Sequence, residues 1–294
     1  MTNRIKEFIA DNLPKIENEL YSLVQCIKAP EQLKESMLYS LKAGGKRIRP
    51  LFVLAVCDLF QNKQHEAFTV GAAVEMIHTY SLIHDDLPSM DNDDMRRGKP
   101  TNHIVFGEAL ATLAGDALNT LSFGILARME NVPSNQRVEL INLLSIASGA
   151  EGMVGGQVLD IDGESRQLNL PELEHVHINK TGAILRFSIE SGAVLSNASE
   201  EERAALVEYA HHIGLAFQIQ DDILDIVATS EELGKTAGKD EKSNKSTYPA
   251  LLTLEGAKQK LEEHYHFAIE ALERVEKDTS LLKEFAQYIV HRNN

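Results

Sequence analysis

Residues 78–100 read His-Thr-Tyr-Ser-Leu-Ile-His-Asp-Asp-Leu-Pro-Ser-Met-Asp-Asn-Asp-Asp-Met-Arg-Arg-Gly-Lys-Pro. An apolar, helix-like run ends in Asp85-Asp86, five carboxylates fall between positions 85 and 94, and Arg96-Arg97 follow. A helix C-terminus is already the negative end of the macrodipole, so this acidic charge calls for a cation. Mg²⁺ takes oxygen ligands and is usually held by one or two carboxylates together with substrate phosphates. The two arginines complete the pattern, because the guanidinium fork matches phosphate oxygens. The stretch reads as a Mg²⁺–diphosphate site at a helix end. An isolated Asp-Asp pair is more often a solvated loop, but a second Asp-rich segment, Asp221-Asp222-Ile223-Leu224-Asp225, argues against that here.

In the second segment Gln218, Asp221, Asp222 and Asp225 follow i, i+3, i+4, i+7 spacing and share one helical face. Asp221 and Asp225 lie one turn apart. At ~5 Å and an effective dielectric of ~20 they repel by about 3 kcal/mol unless a cation intervenes. In the first segment Asp85 and Asp91 would point about 240° apart on an ideal helix. Pro88 and Ser89 must therefore end the helix and fold Asp91 back beside Asp85. Asp86, Asp93 and Asp94 are the weaker ligand candidates.

The basic residues are clustered. Gly44-Gly45-Lys46-Arg47-Ile48-Arg49-Pro50 puts cations at a helix start, where anions bind, without P-loop spacing. His78 stands seven residues before Asp85, on the same face two turns away; its spacing suits either a ligand role or a core position. Arg96 and Arg97 are adjacent, so they point apart and suit two separate phosphates. Lys180-Thr181 interrupts an apolar run, where a lysine needs a partner. Gln157 and Asp160 form a further polar pair. Lys235 and Lys245, in the loop after the second Asp segment, would alone be ordinary solvated lysines.

The whole chain sets outer bounds. It has 294 residues, 43% hydrophobic, and a net charge of −15. That charge disfavours nucleic acid as a partner and disfavours anionic membrane surfaces. No apolar run approaching the ~20 residues needed to span a bilayer is expected, so no stable membrane insertion is expected either. Charges throughout the first twenty residues do not fit a signal peptide. Cys26 and Cys57 read as buried free thiols of a reducing compartment, and a cytoplasmic location follows.

Periodicity is helical nearly everywhere. Helices are expected over residues 5–27 (with an interruption at Pro14), 31–42, 49–59, 64–87, 107–129, 134–160, 171–196, 199–229, 247–275 and 279–292. Nothing alternates at period two. The expected fold is all-α, one domain over 1–294, with ten or more helices around a deep central pocket. The long irregular pieces, 88–106 and 230–246, each follow an Asp segment.

Two Asp-rich segments, Gly-Lys-Arg-x-Arg-Pro, Arg-Arg-Gly, Gly-Gly-Gln-x-x-Asp, Lys-Thr-Gly and Phe-Gln-x-x-Asp-Asp occur in that order. With them the chain resembles the trans-isoprenyl diphosphate synthases along essentially its whole length. It is most similar to the bacterial farnesyl type, whose first Asp segment carries a two-residue insertion like Pro88-Ser89.

The resemblance implies that Asp85, Asp91 and Asp221 hold Mg²⁺ on an allylic diphosphate, with Asp86 and Asp225 in support directly or through water. It implies three Mg²⁺ ions with bound diphosphate, with Mn²⁺ as a substitute. Arg96, Lys180, Lys235 and Lys245 would neutralise the allylic diphosphate; Lys46, Arg49, His78 and Arg97 would hold isopentenyl diphosphate. Lys180, Thr181 and Gln218 would face the allylic cation, Phe217 would join the substrate-binding set, and Tyr80 would close the floor of the hydrocarbon pocket. A homodimer and a fifteen-carbon product are implied, with geranyl or geranylgeranyl diphosphate as alternative products. Similar chains usually end in a basic residue that helps close the site; here that role would fall to Arg292.

Three rivals fit less well. A terpene cyclase would want Ser or Thr near 225 and Glu near 229, where this chain has Asp225 and Thr229. A metal phosphohydrolase built on His84-Asp85 leaves the second Asp segment unused. A non-catalytic synthase subunit typically lacks an Asp segment, and both are present.

Overall fold

In the computed structural model, residues 2–62, 65–227 and 246–292 are described. Lys235 and Lys245 lie outside them. The chain is built from helices, in the order α1 (Asn3–Gln25), α2 (Glu31–Leu41), α3 (Ile48–Leu59), α4 (Glu66–Asp85), a two-residue hairpin β1 (Met95–Arg96) and β2 (Lys99–Pro100), α5 (Asn102–Phe106), α6 (Glu108–Ala127), α7 (Ser134–Ser148) and α8 (Met153–Gly163). Then follow α9 (Leu170–His177), a π-helical turn (Ile178–Gly182), α10 (Ala183–Leu195), α11 (Glu200–Val227), α12 (Tyr248–Glu273) and α13 (Ser280–Val290).

α4 is the centre. It is apolar around most of its circumference, as an enclosed helix must be, and it packs against α1, α3, α6 and α10. Val70, Val74, Ile77 and Tyr80 are buried along it. α11 lies along α12 and against α10. Both Asp-rich segments thus sit at the ends of packed, rigid helices.

Several expectations need correction. Pro14 does not interrupt α1; it lies on the exposed side, where water can take the carbonyl that its missing N–H leaves free. Residues 134–160 are not one helix, because α7 ends at Ser148 and α8 begins at Met153 after the glycines at 149 and 152. The 171–196 segment changes to π geometry at Ile178–Gly182, and α12 is kinked at Thr253. A strand pair exists after all. Its two-residue turn is Arg97-Gly98, with φ of 53° and 72°, the double left-handed pattern of a tight hairpin.

Cys26 is exposed, not buried; Cys57 is buried. One helix, α6, is long and apolar enough by length and composition to cross a membrane, contrary to expectation. It packs against α4 with Ala111, Ala114 and Leu118 fully buried, as an ordinary core helix does.

Candidate active site

Asp85 is the last residue of α4, and the backbone N–H of Asp91 donates to its carbonyl at 2.9 Å. The loop thereby folds Asp91 back beside Asp85, as Pro88 and Ser89 require. Burial pushes the Asp85 carboxyl up to about 6; Lys180 and Arg96 pull it down, while Asp91 and Asp86 push it up.

Asp86 is almost fully buried and engaged by Arg96, whose Nε donates to both carboxylate oxygens at 2.8 and 2.9 Å and whose Nη2 lies 2.6 Å from Oδ1. Arg97, one residue on, turns the other way and donates to the Gly44 carbonyl. The two arginines point apart, toward different walls. A Cβ on Gly45 would lie 2.7 Å from Arg97 Nη1, so a larger residue there would displace that guanidinium.

Lys180 sits on the π-helical turn. Its partner is Asp160 on α8, with Nζ donating to Oδ2 at 2.6 Å. A side chain at Gly156 would run into the backbone of Asn179 and Lys180, so the glycine lets α8 lie directly against the turn. Both residues belong to the polar set noted in the sequence, although their pairing was not.

Two cavities meet at this level. One, of about 560 Å³, is lined by Asp85 and Lys180 at its polar end and by Tyr80, Val154, Val158, Ile161 and Ile184 along its length. The other, of about 540 Å³, is lined by Lys46, Arg97, Phe217, Gln218 and Asp221. Arg49, His78 and Thr181 line both. Burial, followed by the charges of Arg49, Arg97, Arg47 and Arg96, holds His78 well below its ordinary range, so the ring is neutral. Burial also lowers Arg49, against the attraction of Glu75 and Asp221, and its Nε is buried without a hydrogen-bond partner. Burial and Arg292 lower Lys46, with Asp221 opposing.

On α11, Asp221 and Gln218 face the second cavity, whereas Asp222 accepts from the Tyr248 backbone N–H at 2.9 Å and so caps α12. Asp225 is buried one turn beyond Asp221. The Asp85 cluster and the Asp221 helix are rich in hard oxygen donors. Among the described residues no three acidic, histidine or cysteine side chains form a ready-made cage. A cation that completes its shell with substrate phosphate and water needs none, and Mg²⁺ binds in that way. The donor set fits Mg²⁺.

The family model described as polyprenyl synthetase matches residues 30–288. The chain belongs to the polyprenyl synthetase family. It is 50% identical to the farnesyl diphosphate synthase of Bacillus subtilis, over the full length of both chains. A structure of a farnesyl/geranylfarnesyl-type (FPP/GFPP) synthase from Zymomonas mobilis superposes with a TM-score of 0.88 at 39% identity, covering 99% of this chain and 100% of that one. A geranyltransferase from Legionella pneumophila gives 0.89 at 34%, covering 99% and 98%. The polyprenyl synthetase fold is therefore the all-α isoprenoid synthase fold, and the chain is a prenyltransferase whose substrates are isoprenoid diphosphates.

Sequence reading missed Glu75 and the anchoring of Arg47 in this polyprenyl synthetase. Glu75 lies inside an apolar helical run, where only its charge sets it apart. It lines the second cavity beside the three arginines 47, 49 and 97.

Proposed function

We propose that this protein condenses isopentenyl diphosphate head-to-tail with dimethylallyl and then geranyl diphosphate, releasing diphosphate and forming farnesyl diphosphate. The observation that carries this reading is the pair of confluent cavities with a shared wall at Arg49, His78 and Thr181. A two-substrate condensation needs two pockets that open onto one reacting centre, each with its own anion-binding groups. The farnesyl diphosphate synthase activity named for the Bacillus subtilis relative agrees with it.

Asp85, at the polar end of the Tyr80 cavity, and Asp91 and Asp221, on the loop and the helix beside it, would hold Mg²⁺, with Asp86 and Asp225 in support. Mg²⁺ supplies charge stabilisation for the departing diphosphate. Lys180 and Arg96 face the same diphosphate, and Lys235 and Lys245 are assigned to it from the sequence alone. Thr181 and Gln218 present their dipoles to the allylic cation, and the apolar walls keep water from it. Lys46, Arg49, His78 and Arg97 hold the second diphosphate, so that its double bond meets the cation at the shared wall. Phe217 packs beside it. Proton loss to the departing diphosphate completes the reaction, and no nucleophilic side chain takes part.

Residues 1–294 would act as one synthase domain in the cytoplasm. The exposed apolar residues Ile104, Val105 and Leu113, at and beside the α6 face, support a homodimer. The direct test is incubation of the purified protein with Mg²⁺ and both substrates. Diphosphate release that requires the two together, with a longer prenyl diphosphate formed, is expected. Release from the allylic substrate alone, without chain extension, would refute the reading.

A further inference from the structure

We propose that Glu75 is a positioning residue of the second diphosphate site: with Arg47 it forms a buried clamp that fixes Lys46, Arg49 and Arg97 relative to α4. The inference rests on the assignment of Lys46, Arg49, His78 and Arg97 to isopentenyl diphosphate.

Arg47 Nη1 donates to Glu75 Oε1 at 2.6 Å, and the two side chains are 0% and 3% exposed. Arg47 Nη2 donates to the Leu41 carbonyl at the end of α2, and Glu17 of α1 stands 3.7 Å from its Nε. One side chain thus ties α1, α2 and the start of α3 to the middle of α4. Arg47 also has a left-handed backbone, φ 48° and ψ 33°, a conformation unfavourable for a residue with a Cβ. Such strain persists only where the surroundings over-determine it, and it collects at functional sites. Here it reverses the chain between Lys46 and Arg49.

The clamp reaches the remaining basic residues. Arg97 is seated on the backbone of Gly44 and Gly45, two to three residues from Arg47, so its place depends on where Arg47 holds that loop. His78 follows Glu75 by three residues and shares its face of α4. Glu75 is the carboxylate whose attraction acts on Arg47, Arg49 and Arg97 alike. Burial would lower Arg47, but Glu75, followed by Tyr21, offsets it and the guanidinium is held above its ordinary range. A buried ion pair is often replaceable by apolar residues without loss of stability. Stability alone therefore does not account for an ion pair at this place.

The test is the double variant Glu75→Leu/Arg47→Met, which removes both charges and retains volume, beside Glu75→Gln and Arg49→Ala. The double variant is expected to melt near wild type and keep its saturated turnover and allylic KM within about twofold. Its KM for isopentenyl diphosphate should rise about tenfold or more, the signature of lost binding without lost chemistry. A double variant with a normal KM for isopentenyl diphosphate, or one that loses turnover with both KM values unchanged, overturns the clamp. If the double variant does not fold, Glu75→Gln decides by the same split. Arg49→Ala guards the underlying assignment: were it to raise only the allylic KM, the site reading itself would fail, whatever the clamp variants do.

Discussion

Arg292 Nη2 donates to Asp221 Oδ1 at 2.6 Å, and the guanidinium lies 4.0 Å from the centre of the Phe217 ring. The same group donates to the Phe217 carbonyl, and Gln220 Nε2 donates to the Arg292 carbonyl at 2.9 Å. The C-terminal segment is thereby fastened onto the second Asp segment. Arg292 occupies the carboxylate that the proposed function gives to Mg²⁺, so cation and arginine compete for it.

Arg292→Ala should therefore lower the Mg²⁺ concentration needed for half-maximal activity. Asp221 is partly exposed, so the pair is worth at most about 1 kcal/mol, or a shift of about two- to fivefold. A Mg²⁺ titration of activity checks this. An unchanged or higher requirement would show that the pair does not oppose the cation.

Activity should require a divalent cation and fall by ~10²–10³ in Asp85→Ala or Asp221→Ala, the usual loss when one element of electrostatic stabilisation is removed. Turnover is measured at saturating Mg²⁺ and both substrates. Near-wild-type rates in either variant would remove that residue from the metal site.

Stability should decline as the pH falls from about 6.5 toward 4. His264, on α12, is buried and its ring is pushed down to about 4, first by burial and then by His212 and Lys260, with Glu263 opposing and His211 adding to the push. An unfolded histidine titrates near 6.5. Between the two values the unfolded chain binds a proton that the folded chain does not, so acid favours unfolding. His177, also held down to about 4 by burial, adds in the same direction. His264→Leu should flatten the pH dependence of the melting temperature by the equivalent of about 1 kcal/mol, ~2 °C or more at this chain length. An acid limb that is equally steep in the variant assigns the effect elsewhere.

What was legible in the sequence, and what was not, follows from physical range. The two Asp segments were readable because like charges at helical spacing need a counter-ion, and the turn at Pro88-Ser89 was readable from proline chemistry. The divergence of Arg96 and Arg97 followed from their adjacency. The π turn at Ile178–Gly182 leaves no mark in hydrophobic periodicity, so residues 171–196 read as one regular helix. Arg97-Gly98 was a hairpin turn hidden by strands only two residues long. The Arg47–Glu75 and Lys180–Asp160 pairs join residues 28 and 20 positions apart. Each charge was visible, but its partner was set by packing. Cys26 was misread because its apolar neighbours describe the helix before it, and it lies just past that helix's end.

The fifteen-carbon length of the product should be set within the cavity that runs from Asp85 past Tyr80. Tyr80 is 7% exposed, lines that cavity and packs edge-to-face on His84 at 5.6 Å. It lies five residues before Asp85, about 7.5 Å deeper at 1.5 Å per residue, and each further isoprene unit needs roughly 5 Å more. The decisive measurement is chromatography of the dephosphorylated products made from isopentenyl and dimethylallyl diphosphates by the wild-type protein and by Tyr80→Ala. Farnesol from the wild type and alcohols of twenty carbons or more from Tyr80→Ala are predicted. A wild-type product of mainly ten or twenty carbons would contradict the claim, and an unchanged distribution in Tyr80→Ala would contradict the placement of the floor.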